Sequence, residues 1–239
     1  MFAILKKEFN SFFASPIAYL VIGVFLLVNG LFLWVFQDDF NILNAGFADI
    51  NNFFYLAPWV LLFLIPAITM KTFADEFSTG TIEILKTRPI TDWQIVLGKF
   101  WAALLLVCIA IIPTFVYVYS VSHLGSPAGN IDMGSTIGSY IGLLLLSGAY
   151  AAVGLFTSTL SKNQIVAFLL GVLIVFFLYY GFDAISSLFG SSSYTVQLLG
   201  MNEHFKSISR GVIDTRDIIY FVSIIVFFLF ITKQKLSNE

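Results

Sequence analysis

Few residues in this sequence are placed to do covalent chemistry. Ser158, Ser161 and Lys162 fall close together, as a serine–lysine dyad requires. Lys162, however, sits in a short polar break between two apolar runs, where a lysine sets topology, and a protease reading is set aside. His123 and His204 are far apart in sequence, so no metal cluster is expected and both are read as loop histidines. Cys108 is the only cysteine, which rules out an intrachain disulfide. Gly98-Lys99 matches the end of a phosphate-binding loop, but the upstream glycine and the following hydroxyl are both missing. What remains is one charged stretch, Lys71 to Lys99, reading KTFADEFSTGTIEILKTRPITDWQIVLGK. Its bases, Lys71, Lys86, Arg88 and Lys99, balance its acids, Asp75, Glu76, Glu83 and Asp92. The chemistry open to it is contact and force.

The rest of the chain must position that stretch. Hydrophobic residues make up 59% of the 239 and charged residues 11%, where a soluble domain carries roughly 25% charged. Too few charges are left to coat a water-soluble surface, and the mean hydropathy is +0.92. The chain is therefore an all-α integral membrane protein, read as a single domain over 1–239. The net charge of −2 points to no partner class, and no nucleic-acid partner is expected. A removable signal peptide is not expected either. Lys6 and Lys7 could serve as its basic region, but the apolar run after them is too long and lacks a cleavage site.

A span needs about 20 apolar residues to cross about 30 Å of hydrocarbon. Six runs qualify, at about 17–36, 53–70, 100–120, 136–160, 165–182 and 214–232. The last is short in its apolar part and is lengthened by a cap from Asp214 or Asp217 and by a snorkelling Lys233. No acidic or basic residue falls in the core of a run, which argues against coupling to protons or sodium. With the N-terminus inside, the inner segments hold nine of the lysines and arginines and the outer segments three, Lys206, Arg210 and Arg216. Both termini and the Lys71–Lys99 stretch are thus expected to be cytoplasmic.

Three further features flank the spans. Residues 2–13 place Phe2, Leu5, Phe9 and Phe12 on one helical face, as in a helix lying in the membrane interface; an overhang of the first span is the alternative. The fourth run carries Gly138 and Gly142, then Gly148 and Ala152, whose small side chains let helices approach closely, within one bundle or against another subunit. The loop after the fifth run opens on Ser186, Ser187, Gly190, Ser191, Ser192 and Ser193. It then sets Tyr194, Leu198, Met201, Phe205, Ile208 and Val212 at helical spacing, interrupted by Gly200. This outer amphipathic helix suits a lid or a passive cap.

Within the charged stretch, Thr81 to Thr87 fit about two turns of helix. Gly80 caps its start, Glu83 favours its first turn, and Arg88-Pro89 stops it. Thr91-x-x-Gln94 is a capping box for the next helix, which carries Trp93 at interfacial level and runs through Lys99. Ile82, Ile84 and Leu85 put three aliphatic side chains in four positions on an edge that a solvated loop would not need. They call for cover from the membrane or from a protein.

The order of these parts resembles the ABC-2 type transporter permeases over the whole chain. The motif resembling that family runs through Asp75 and Glu76, Gly80 and Thr81, Glu83, Leu85, Pro89, and Gly98 with Lys99; SKNQIVAF and SRGVIDTRDIIYF resemble it too. More narrowly, the sequence is similar to gliding-motility-associated permease subunits. The resemblance implies a transmembrane half-transporter, an exporter in a bacterial cytoplasmic membrane, with no ATPase site of its own. The short helix would couple to a separate ABC ATPase subunit through Asp75, Glu76, Gly80, Thr81, Ile82, Glu83 and Leu85. ATP and Mg would be bound by that partner, and a second permease chain, identical or related, would complete the path. Other cargoes (lipid, polysaccharide or drug) fit the same resemblance, and a channel or a scaffold is the alternative outside it. Pro58, Pro66 and Pro113 would serve as bending points or as tolerated kinks.

Overall fold

The computed structural model describes residues 1–44, 46–186 and 193–238. Ser187, Gly190, Ser191 and Ser192 of the polar loop lie outside the described residues, as does the side chain of Ile84. In chain order the helices are α1 (Phe2–Ala14), α2 (Ile17–Val35), α3 (Asn51–Thr79), α4 (Thr81–Lys86) and α5 (Asp92–Leu124). They continue with α6 (Met133–Ser158), α7 (Gln164–Ser186), α8 (Ser193–Gln197), α9 (Met201–Ser209) and α10 (Thr215–Ser237). Among the described residues six of them, α2, α3, α5, α6, α7 and α10, are long and apolar enough to cross a membrane.

Most of these spans begin on a side chain that satisfies an otherwise orphaned N–H, a group that is costly near hydrocarbon. Thr91 and Gln94 form the capping box read from the sequence, with both bonds at 3.3 Å. Asp132 accepts from the Ser135 amide, Asn163 from that of Ile165 and Asp214 from that of Arg216. The prolines are absorbed rather than terminating. Pro58 and Pro66 lie inside the first part of α3. Pro113 sits in a single 3-10 turn of α5, where Thr114 returns its hydroxyl to the Ile111 carbonyl at 2.6 Å.

The bundle is built around α6, whose apolar window is 78% buried against 22–28% for α2, α7 and α10. Its small residues explain that place. A methyl at Gly138 would sit 2.6 Å from the backbone oxygen of Ile208 in α9, one at Gly142 would press on Phe205, and one at Gly148 would lie 3.0 Å from Ile225 in α10. At Gly154 it would run into the Thr69 hydroxyl of α3. Ala152 is fully buried. The glycines thus receive neighbours from this same chain on several sides.

Lys86 donates its ammonium to the Leu236 carbonyl at 2.6 Å, and α1 packs across the start of α5. Both termini, α1 and α4 therefore share one end of the bundle, the terminal end; α8 and α9 lie at the other. Two sequence expectations change here. The face of α1 turned to the protein carries Ile4, Glu8 and Phe12, while Phe2 is exposed, because α1 packs against α5 along that face. The Tyr194–Val212 stripe is two helices broken before Gly200. Met201, Phe205 and Ile208 are buried against α6, while Tyr194 and Val212 are exposed.

Candidate functional site

The charged stretch folds into three pieces. Its first third, Lys71–Thr79, continues α3 beyond a turn at Met70 and buries Phe73, Ala74, Glu76 and Phe77. Gly80 adopts φ +70°, a left-handed conformation that favours glycine, and turns the chain into α4. The last third is the start of α5.

Lys99, two turns into α5, has no solvent exposure. Its ammonium donates to the Thr72 carbonyl at 2.6 Å and to Glu8 Oε1 at 3.1 Å, and it pairs electrostatically with Glu76 Oε2 at 3.0 Å. The ring of Phe73 lies 4.8 Å below it. Lys7 closes the cluster from outside, 3.1 Å from Glu76 and 3.3 Å from Glu8. Two cations and two carboxylates, from α1, α3 and α5, are thus neutralised together. Gly98 makes the approach possible, since a methyl there would sit 2.9 Å from Ile4 Cβ and hold α1 away. Burial alone would push the Lys7 ammonium down; attraction to Glu8 and Glu76, with hydrogen bonds to both, outweighs it and raises Lys7 above the ordinary lysine value of 10.5.

The expectation that no charge falls in the core of a run concerns mid-span positions; Lys99 is a fully buried cation inside the α5 helix, just before the run at 100–120. It is stable there because its two counter-ions are buried with it, at the end of the span rather than at mid-depth. Glu8 was not singled out from the sequence. The available signal was its spacing of four from both Ile4 and Phe12, which puts one acid on an apolar face.

The sequence-selected residues separate into two groups. Glu76 is in the buried cluster, and Asp75 is half-buried with its carboxylate held by the Gln164 amide at the start of α7. Gly80, Thr81 and Glu83 are exposed. Ile82 is 9% exposed and Leu85 half-buried against the core, so the aliphatic edge does not stand open as read from the sequence. α4 lies close enough to the C-terminal end of α10 for the chain itself to supply that cover. Thr72 also reaches Ser158 at the end of α6, hydroxyl to hydroxyl at 3.2 Å. That contact commits Ser158 to packing, while Lys162 is exposed.

The opposite end holds a second polar cluster. His204 is no loop histidine. It lies in α9 with Nδ1 2.6 Å from the buried Asp217 and Nε2 2.9 Å from the Leu198 carbonyl, stacked on Tyr220 at 3.8 Å. Asp183 of α7 binds the Asn202 amide, and Lys206 stands 3.8 Å from Asp183. His123 is in α5, exposed, against Tyr119.

Neither cluster presents a nucleophile beside a base. Both join a short helix to span ends, an arrangement suited to passing displacement between helices. A six-span helical bundle with such a junction at one end is the architecture of a polytopic membrane transport subunit. The family model described as ABC-2 family transporter protein matches residues 2–230, and the chain belongs to that family. It is a membrane-embedded permease subunit of the ABC-2 class. Comparison with curated proteins finds no match.

Proposed function

We propose that this permease is driven by a separate ABC ATPase subunit docking on its terminal end, which faces the cytoplasm of a bacterial cell. The reading rests above all on one juxtaposition: the exposed turn Gly80, Thr81 and Glu83 follows directly on the α3 extension whose Glu76 pairs with Lys99 of α5, which also holds Glu8 of α1. A push on α4 would then reach α3, α5 and α1 together. The partner carries ATP and Mg. A second permease chain, identical or related, completes the path, and the direction is export. The narrower resemblance of the chain favours a gliding-motility-associated complex; lipid, polysaccharide or drug cargo is the alternative within the family.

The test is association. From mild detergent an ATPase should copurify with the full chain, and Glu83→Lys should weaken that association at least tenfold while leaving the melting temperature unchanged, since Glu83 is exposed. Undiminished copurification of the Glu83→Lys chain would remove α4 from the contact. Ion conduction by the purified chain alone in a planar bilayer would replace the reading with a channel.

A further inference from the structure

A cavity of about 320 Å³ opens between α3, α6, α7 and α9, at the end away from the termini. Phe54, Tyr179 and Phe205 line it and are almost fully buried, whereas Lys206 and Arg210 line it with exposed side chains. Among the described residues no carboxylate lines it. The acids beside those two cations are Asp183, 3.8 Å from Lys206, and Glu203, 3.9 Å from each. Those separations are beyond hydrogen-bond length, and Asp183 already holds Asn202. The two cations therefore keep attraction to offer an anion.

The cavity has an apolar continuation. Tyr179 meets Trp59 edge-on at 5.3 Å, and Trp59 lies against Tyr180 at 5.5 Å and Phe176 at 6.2 Å. Phe176 and Tyr180 are exposed, on a span whose apolar window is only 28% buried. This aromatic strip leads from the cavity along the groove between α3 and α7, over surface that lipid covers. The cavity, about 320 Å³, has room for a small headgroup.

We propose that this pocket binds an anionic amphiphile, with a phosphate or carboxylate headgroup at Lys206 and Arg210 and an acyl chain along the Trp59 strip. A free anion would use only the cations, and a neutral lipid only the strip. The proposal stands apart from the ATPase reading and needs no partner.

Native mass spectrometry of the full chain in detergent, titrated with phosphatidylglycerol or phosphatidylcholine, tests the headgroup. The wild type should hold phosphatidylglycerol about tenfold more tightly, at about fivefold per basic residue near a membrane surface with some loss for exposure. The Lys206→Gln, Arg210→Gln double variant should lose that preference, while Lys162→Gln at the other end keeps it. Both changed residues are exposed, and an unaltered melting temperature confirms that the variant folds. For the chain, phosphatidylglycerol with brominated acyl groups should quench tryptophan fluorescence, and Trp59→Phe should remove most of that quenching. Equal binding of the two lipids, or a preference that survives the double variant, overturns the proposal. So does displacement of the lipid by inorganic phosphate without quenching at Trp59. The mass of the species retained without added lipid names its source. An ordinary phospholipid means a resident lipid, and a distinct mass lost in the double variant means cargo; either supports the site.

Discussion

At both ends of the bundle a short helix is laid across the core and held by charge, but the charges are used in opposite ways. At the terminal end Lys99 is buried with two carboxylates, each within 3.1 Å of it, and Lys7 at the edge completes the charge balance. At the other end Lys206 and Arg210 are exposed, and their acids stand 3.8 to 3.9 Å away. A closed, neutral cluster leaves nothing to recruit a ligand, yet it makes three helices move as one body. An open cluster binds more weakly to its own chain and retains attraction for something else. The same chemical groups thus give a junction at one end and a pocket at the other, and burial decides which.

The comparison breaks most visibly at Lys99. Lys99→Met removes the cation and leaves Glu8 and Glu76 buried beside each other, and breaking a buried pair in this way costs about 3–5 kcal/mol. The expected result is a large fall in the detergent melting temperature. Replacing all three groups at once, with Lys99→Met, Glu8→Leu and Glu76→Leu, should recover most of that loss, since apolar substitutes for a whole buried cluster are often neutral. Wild-type transport in the triple variant would show that the charges serve stability alone. Restored folding without transport would mark them as part of the junction's function. Removing Lys206 at the open end should change melting by less than about 1 kcal/mol.

The glycines beneath the two short helices sharpen the contrast. Gly98 receives the side chain of Ile4 in α1, and Gly138 receives the backbone of α9 at Ile208. Ile4 Cβ is fixed to its own backbone and the Met1 carbonyl lies 3.2 Å from the same point, so neither contact yields to a rotamer change, and the approach at Gly138, 2.6 Å, is the tighter. Both Gly98→Ala and Gly138→Ala overpack and should cost about 1–3 kcal/mol, with Gly138→Ala the larger. Cysteine pairs across each contact would report displacement, expected as slower cross-linking between α9 and α6 than between α1 and α5.

How much of this was legible in the sequence follows from the range of each interaction. Spans and caps are local. Apolar length, the Thr91–Gln94 box and the φ-positive turn at Gly80 depend on residues within a few positions of each other. The partners of Lys99 are not local, because Glu8 lies ninety-one residues away in the chain. Nothing near Gly98-Lys99 in the sequence says that a helix from the N-terminus crosses there. Ile82 failed for the same reason: an aliphatic residue in a charged stretch reads as exposed until the rest of the fold is laid beside it. His204 was assigned from its place between spans, whereas its contacts to Asp217 and Tyr220 come from another helix. Sequence reading thus recovered the bundle and the position of the junction, and missed the residues that close it.

The smallest effect is expected at Lys7, the one member of the terminal cluster that remains largely in water, with 60% of its side chain exposed. Its pKa in the folded chain is raised above 10.5, with burial opposing the shift and Glu8 and Glu76 driving it. A group whose folded value is raised contributes stability below its unfolded value and loses it as pH climbs through the folded one. The difference in melting temperature between wild type and Lys7→Gln should therefore be constant from neutral pH up to about 10 and shrink to nothing at higher pH. Solvent screening keeps the contribution of an exposed pair below about 1 kcal/mol. A difference that instead grew with pH, or that exceeded the effect of Gly98→Ala, would mean that Lys7 rather than Lys99 neutralises the carboxylates, and the closed cluster would have to be redrawn as an open one.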